Sequence, residues 1–160
     1  MNNLDSIDVK HFCPDDPEGN LYDRIILILN GEDVPGVFDA VDFACSNELK
    51  QCTLELLTCS CGVSGCAGIF EGTKIKRRRF TTEWRDIDCG LPKKFYSFNN
   101  EDYDNAIKKT IEIMRVIAKK REDSGINGQE EYDGLFNFWT VAEFDKYFSR
   151  HIKWVRYYQQ

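Results

Sequence analysis

The run Ile25-Ile26-Leu27-Ile28-Leu29 is the stretch that most restricts how this 160-residue chain can fold. Five consecutive aliphatics leave no polar side for water, so a strand built from them belongs in the middle of a sheet with both faces covered. Its ends are marked. Residues 13–20 hold two prolines and a glycine and form a loop before it, and Asn30-Gly31 is a hairpin-turn dipeptide after it. The run is strand-sized and far too short to span a bilayer. A chain of this length is expected to fold as a single domain, residues 1–160, burying roughly 68–70% of its unfolded surface without staples.

Further strands are predicted over 21–29, 51–58, 67–75, 79–87 and 94–98, with Glu71-Gly72-Thr73 as a turn. A short helix fits after Pro35-Gly36, where Val37, Phe38, Val41, Phe43 and Ala44 are apolar, and ends near Cys45-Ser46-Asn47. Two longer helices follow. The first is capped by Asn99 or Asn100 and carries Tyr103, Ile107, Ile111, Met114 and Ala118 at helical spacing to about Arg121. The second, near 141–157, has Thr140 and Glu143 as a capping box and Phe144, Tyr147, Phe148, Ile152 and Val155 as its apolar face. The expected class is α+β: an antiparallel sheet in the first 98 or so residues, with helices near 100–121 and 141–157 packed on it.

Charge is unevenly spread. The net of −6 conceals thirteen acids against three bases in residues 1–72, and eight bases against three acids in residues 73–95. An acidic balance argues against a general nucleic-acid binder, whose affinity comes from cations meeting phosphates. The cluster Lys74-Ile75-Lys76-Arg77-Arg78-Arg79 runs the other way. On a strand it puts Lys74, Lys76 and Arg78 on one face and Arg77 and Arg79 on the other. It suits phosphate contact with Phe80 and Trp84 for stacking, or an edge strand kept from aggregating by its cations and paired with Glu55 or Glu71.

The densest motif is Cys59-Ser60-Cys61-Gly62-Val63-Ser64-Gly65-Cys66. Cys59, Cys61 and Cys66 supply three of the four ligands a zinc ion takes, with Cys52, Cys89 or His11 as a remote fourth. Equally, Gly62 and Gly65 allow a tight turn under which small thiols pack as minor hydrophobes. A thiol nucleophile would need His11 or His151, the only histidines. Without the metal reading, no cofactor is expected.

This loop, with Leu56-Leu57-Thr58 before it, Thr82-Glu83-Trp84-Arg85 after it, then Phe95-Tyr96-Ser97-Phe98, Tyr103 and a helix, resembles a group of small bacterial cytosolic proteins. Leu29-Asn30-Gly31-Glu32-Asp33 fits the same group, and the likeness spans roughly residues 21–120. Some of its members are similar to immunity proteins of polymorphic toxin and contact-dependent growth inhibition systems. The resemblance implies a cytoplasmic, non-catalytic protein that neutralises a cognate toxin one to one.

A nuclease toxin carries a cationic cleft, and an acidic partner gains association rate and specificity by matching it. Asp15, Asp16 and Glu18, with Asp123, Glu130, Glu131 and Asp133, are therefore the expected contacts to a basic toxin. Other carboxylate pairs show no convergence on a cleft and read as solvated surface. Trp154, Tyr157 and Tyr158 exceed what one helix face must bury and are candidates for an exposed contact surface. The alternative function is a zinc-stabilised nucleic-acid-binding or regulatory module built on the thiol loop and Lys74–Arg79. No signal peptide or membrane span is read, and seven cysteines without an export signal fit a reducing cytoplasm.

Overall fold

The computed structural model describes residues 4–13, 23–58, 72–85, 87, 91–125 and 140–158. Strand β1 (Ile7–Phe12) pairs antiparallel with β2 (Arg24–Leu29), which pairs in turn with the two-residue β3 (Glu32–Asp33). The aliphatic run is thus central, as expected. Ile25, Leu27 and Leu29 are buried with Ile7 and Val9 of β1. Ile26 and Ile28 are only half-buried and stand opposite Lys10 and Asp8, so one face is fully covered and the other is not. A three-stranded sheet with a helix on one side does not need both. Asn30 (φ 53°) and Gly31 (φ 82°) make the hairpin turn, both in the left-handed region this tight turn demands.

The predicted short helix is shorter than expected. Residues 37–38 form β4 (Val37–Phe38), which pairs with β6 (Leu57–Thr58). Helix α1 (Ala40–Cys45) begins only where Asp39 can cap it, its carboxylate accepting from the amides of Val41 (3.0 Å) and Asp42 (2.9 Å).

A four-stranded antiparallel sheet follows in the order β5 (Gln51–Leu54), β7 (Thr73–Arg77), β8 (Thr81–Arg85) and β9 (Phe95–Asn99). Two expectations change here. The turn between β7 and β8 lies at Arg78-Arg79-Phe80, so β8 begins at Thr81 rather than at Arg79, with the Arg78 amide donating to the Thr81 carbonyl at 2.7 Å; residues 67–71, which hold most of the expected preceding strand and Glu71 of the expected turn, lie outside the described residues. Strand β7, which carries the basic cluster, is interior and not an edge, because β5 and β8 flank it. At Gly72 a Cβ would lie 2.9 Å from the Leu54 carbonyl oxygen, so glycine lets β7 approach β5. The two larger sheets meet where the Asp5 amide donates to the Ser97 carbonyl (2.8 Å) beside β9. The Asp5 carboxylate there receives Lys93, Asn30 and the Ser97 amide, and these bonds outweigh burial to hold it below its ordinary pKa.

Helix α2 (Asn100–Ser124) is capped by Asn99, whose side chain accepts from the Glu101 amide, and it stops at Gly125 in the left-handed conformation. It runs three residues beyond the expected Arg121. Tyr103, Ala106, Ile107, Thr110, Met114, Ile117, Ala118 and Arg121 are buried along one side. Helix α3 (Val141–Tyr158) starts with the predicted cap, the Glu143 amide donating to the Thr140 hydroxyl at 3.1 Å, and packs on α1 and α2.

The α+β class is borne out. Its core is an aromatic nest between the four-stranded sheet and the first two helices. Phe43 lies 5.4 Å from Tyr103 and 6.1 Å from Trp84, and Trp84 lies 5.1 Å from Phe98, mostly edge to face. The Tyr103 hydroxyl accepts from the Trp84 indole N–H (3.0 Å) and shares a bond with the Ser46 hydroxyl (2.7 Å). No helix among the described residues is long and apolar enough to cross a membrane.

Candidate functional site

Most expected contacts fall where nothing is described. Asp15, Asp16, Glu18, Glu130, Glu131 and Asp133 lie outside the described residues, as do Cys59, Cys61, Cys66 and Cys89. Asp123 is exposed in the last turn of α2 and bonds Lys119 one turn earlier at 2.7 Å. Two proposed fourth zinc ligands are engaged elsewhere. Cys52 is buried on the inner face of β5, where burial pushes its thiol up to about 12. His11 sits on β1 with its Nε2 2.6 Å from an Asp23 carboxylate oxygen. Among the described residues, no three His, Cys, Asp or Glu side chains are grouped to hold a metal.

Three polar or aromatic constellations are described. The first is at the end of β1. Buried Asp23 bonds His11 and the Lys120 ammonium (3.2 Å), and Lys120 also lies 2.9 Å from the Cys13 sulfur. Burial would raise the Asp23 pKa, but bonds from His11, Cys13 and Lys120 outweigh it and hold the carboxyl below its ordinary range. Bonded partners here stand up to 107 positions apart in sequence, and no local pattern announces them. The cluster ties β1 to α2.

The second is the outer face of the four-stranded sheet. The strand period turns Thr82, Trp84, Tyr96 and Phe98 to the core and Glu83, Arg85, Phe95 and Ser97 outward. Trp84 is fully buried, so it is not available for stacking on a ligand. The basic cluster divides differently from a regular strand. Lys74 and Lys76 face outward. Arg77 leans toward the helices, with its guanidinium in a two-armed bond to Asp104 of α2 at 2.6 and 2.7 Å. Arg78 joins the outer face through Glu83, which also bonds Arg85. The acidic partners of Arg77 and Arg78 are therefore Asp104 and Glu83; the expected Glu55 makes no ion pair among the described residues, and Glu71 lies outside them.

The third is one flank of α3. Tyr147, Arg150, Trp154, Tyr157 and Tyr158 recur at spacings of three and four along it, starting from Tyr147, which is half-buried against the core as its place on the expected apolar face requires, and ending on exposed rings. Trp154, Tyr157 and Tyr158 are 48%, 75% and 65% exposed, values that set them apart from the buried Phe144 and Val155 of the same helix. Their rings form a ladder: Tyr147 on His151 (6.0 Å), His151 on Trp154 (5.6 Å), Trp154 on Tyr158 (5.3 Å). His151 anchors the ladder, its Nε2 2.5 Å from Asp42 of α1, and Arg156 bonds Glu48 at 2.5 Å. Beneath this joint, burial and the neighbouring Asp42 charge raise Asp39 to about 6. Lys146, Arg150 and Lys153 beside the rings are exposed and make no ion pair among the described residues.

The aromatic strip was legible in the sequence as a surplus over one buried face. Its exposed cations Lys146, Arg150 and Lys153 were not singled out there. No family model, curated protein or solved structure matches the chain.

Proposed function

We propose that the chain is a non-catalytic immunity protein, binding a cognate toxin one to one and holding it inactive in the cytoplasm. The observation that carries this reading is the strip on α3. Trp, Tyr and Arg are the side chains that most often dominate binding energy, and here they are presented together on a helix anchored by the His151–Asp42 hydrogen bond to α1 and the Arg156–Glu48 ion pair to the segment after it. A rigid support matters because a partner then orders little on binding.

The acids Asp15, Asp16, Glu18, Asp123, Glu130, Glu131 and Asp133 act in this reading as the long-range part of recognition, drawing in a basic toxin, while the α3 rings form the close contact. Lys146, Arg150 and Lys153 require the toxin to place carboxylates or carbonyls opposite them. No catalytic role is assigned. The His151–Asp42 pair is used to hold α3, and the buried Cys45 and Cys52 are kept as neutral thiols by burial.

The test begins with the neighbouring reading frames: a cytotoxic domain encoded there is co-expressed with this chain, and the absence of any such domain overturns the assignment. The expected outcome is restored growth and a one-to-one complex by size-exclusion chromatography with light scattering. Trp154→Ala with Tyr157→Ala should weaken that complex by a factor of at least about 30, a loss of roughly 2 kcal/mol typical of a hot-spot residue. Unrestored growth, or a complex indifferent to both substitutions, overturns the assignment.

A further inference from the structure

Helix α3 is seated on α1 over two carboxylates. Asp42 lies 2.5 Å from His151 Nε2 through one oxygen and accepts from the Glu55 amide at 3.2 Å through the other. Asp39, one turn earlier, caps α1 with its carboxyl largely shielded from water. Tyr147 closes the joint from the α3 side: burial raises its phenol, and the charges of Asp39 and Asp42 raise it further. His151 is enclosed on both faces, by the Tyr147 ring at 16° from parallel and by Trp154 at 26°. Only 21% of the His151 side chain and 13% of that of Asp42 meet solvent.

Acids outnumber bases here. Asp39, Asp42 and Glu48 come from α1 and the segment after it, and His151 and Arg156 come from α3. Arg156 is engaged by Glu48, which leaves His151 facing two carboxylates. The buried Cys45 and Cys52 thiols register the same field, pushed up first by burial and then by Asp42. The Glu55 side chain is exposed. From α2, the Tyr103 hydroxyl reaches Ser46 at the end of α1, and Arg115 reaches α3 through Asp145. Every lysine, arginine and histidine of the chain lies within the described residues, so the residues outside them add no cationic side chain to the joint.

A partly dry cluster of two carboxylates and one imidazole favours the charge state nearest to neutral, because each uncompensated charge is costly away from water. Neutrality takes two protons, one on His151 and one on a carboxylate. Burial and the Asp42 charge accordingly raise Asp39 to about 6. Once α3 lifts away, the same groups meet water, where at neutral pH aspartates are ionised and an imidazole is mostly uncharged. Seating α3 therefore takes up protons, and losing them works against the seat.

We propose that this joint is a proton-operated latch on the α3 strip: with two protons among Asp39, Asp42 and His151 it holds Trp154 and its neighbours rigidly, and as they are lost α3 loosens. The consequence for toxin binding rests on the immunity reading. The latch itself is tested without a toxin, so either can fail alone.

The experiment follows the full chain from about pH 5 to about pH 8 by hydrogen exchange with peptide-resolved mass spectrometry, corrected for the intrinsic pH dependence of exchange. Fluorine NMR of protein containing fluorotryptophan runs beside it, with Trp154 assigned through Trp154→Phe. Protection of α3 relative to α2 should fall at least about tenfold over that interval, as expected when roughly one proton is released in a titration near pH 6. The Trp154 resonance should move over the same range while that of Trp84, in the nest, stays in place. Asp39→Asn with His151→Gln keeps a cap and a donor to Asp42 but cannot titrate, and it should flatten both responses. Circular dichroism checks that this double variant is folded, and the wild-type ratio stands as a test whether or not it is.

A ratio of α3 to α2 protection that is constant within about twofold across the interval overturns the proposal. So does a fall that persists unchanged in the folded double variant, which would place the titration elsewhere.

Discussion

Trp84 and Trp154 show how differently one residue type is used in two regions of this molecule. Trp84 is fully enclosed, ringed edge to face by Phe43, Phe98 and Tyr103, with its indole N–H bonded to the Tyr103 hydroxyl. Trp154 is half in solvent, stacked on His151 and tilted against Tyr158, with His151 held from below by its hydrogen bond to Asp42. The nest stabilises the fold because its rings are removed from water and its polar atoms are paired. The ladder on α3 leaves apolar area in water, which contributes little to folding and is available for a partner. The contrast makes stability and binding separable by mutation.

The largest expected effect falls on the nest. Trp84→Ala should lower unfolding free energy by about 3–5 kcal/mol in urea titration, since a ring-sized cavity opens among rigid neighbours. A loss below about 1 kcal/mol would mean that the nest is not the core.

Tyr103→Phe is the next step down. It retains the ring but removes the acceptor for Trp84 and the partner of the Ser46 hydroxyl, at about 1–3 kcal/mol. Unchanged stability would show that water or another group satisfies both.

The joint beneath the ladder should respond to pH. Asp39 is raised to about 6 by burial and by the Asp42 charge, with His151 and the α1 amides acting in the opposite sense. A carboxyl whose folded pKa exceeds its unfolded value favours the fold while protonated. That contribution is complete below about pH 4 and is lost as pH rises through about 6. Asp39→Asn keeps a capping side chain and removes the titration. Its urea midpoint should overtake that of the wild type as pH rises from about 4 to about 7. A constant difference between the two proteins over that interval would remove Asp39 from the joint's pH response.

The smallest stability effect belongs to the ladder. Trp154→Ala should change unfolding free energy by no more than about 0.5 kcal/mol, while the proposed toxin complex is weakened. If it destabilises as Trp84→Ala does, the strip is part of the core and the comparison between the two regions fails.

Local chemistry was well represented in the sequence. Asn99 and the Thr140/Glu143 pair cap helices, Asn30-Gly31 turns the hairpin, and the spacing from Tyr103 to Ala118 marks the buried side of α2, because each depends on neighbours within one or two turns. Strand neighbours were less legible. The basic cluster fits an edge on composition, yet β5 pairs beside β7 across 19 to 25 residues of sequence and makes it interior. The α3 strip was visible as surplus aromatics, whereas the outer face of the sheet needed the register before its side chains could be placed.

By itself, then, the sequence determined the α+β class, the helix caps, the central place of Ile25–Leu29 and the surplus of aromatic residues near the C-terminus. Periodicity and capping act over a few residues, so they survive in one dimension. Only the tertiary structure decided that Trp84 is enclosed and Trp154 presented, that Asp23 gathers His11 and Lys120, and that Glu83 holds Arg78 and Arg85 on the outer face of the sheet. Those outcomes depend on which distant strands and helices come to lie side by side, and that is set by how the whole chain buries its apolar surface.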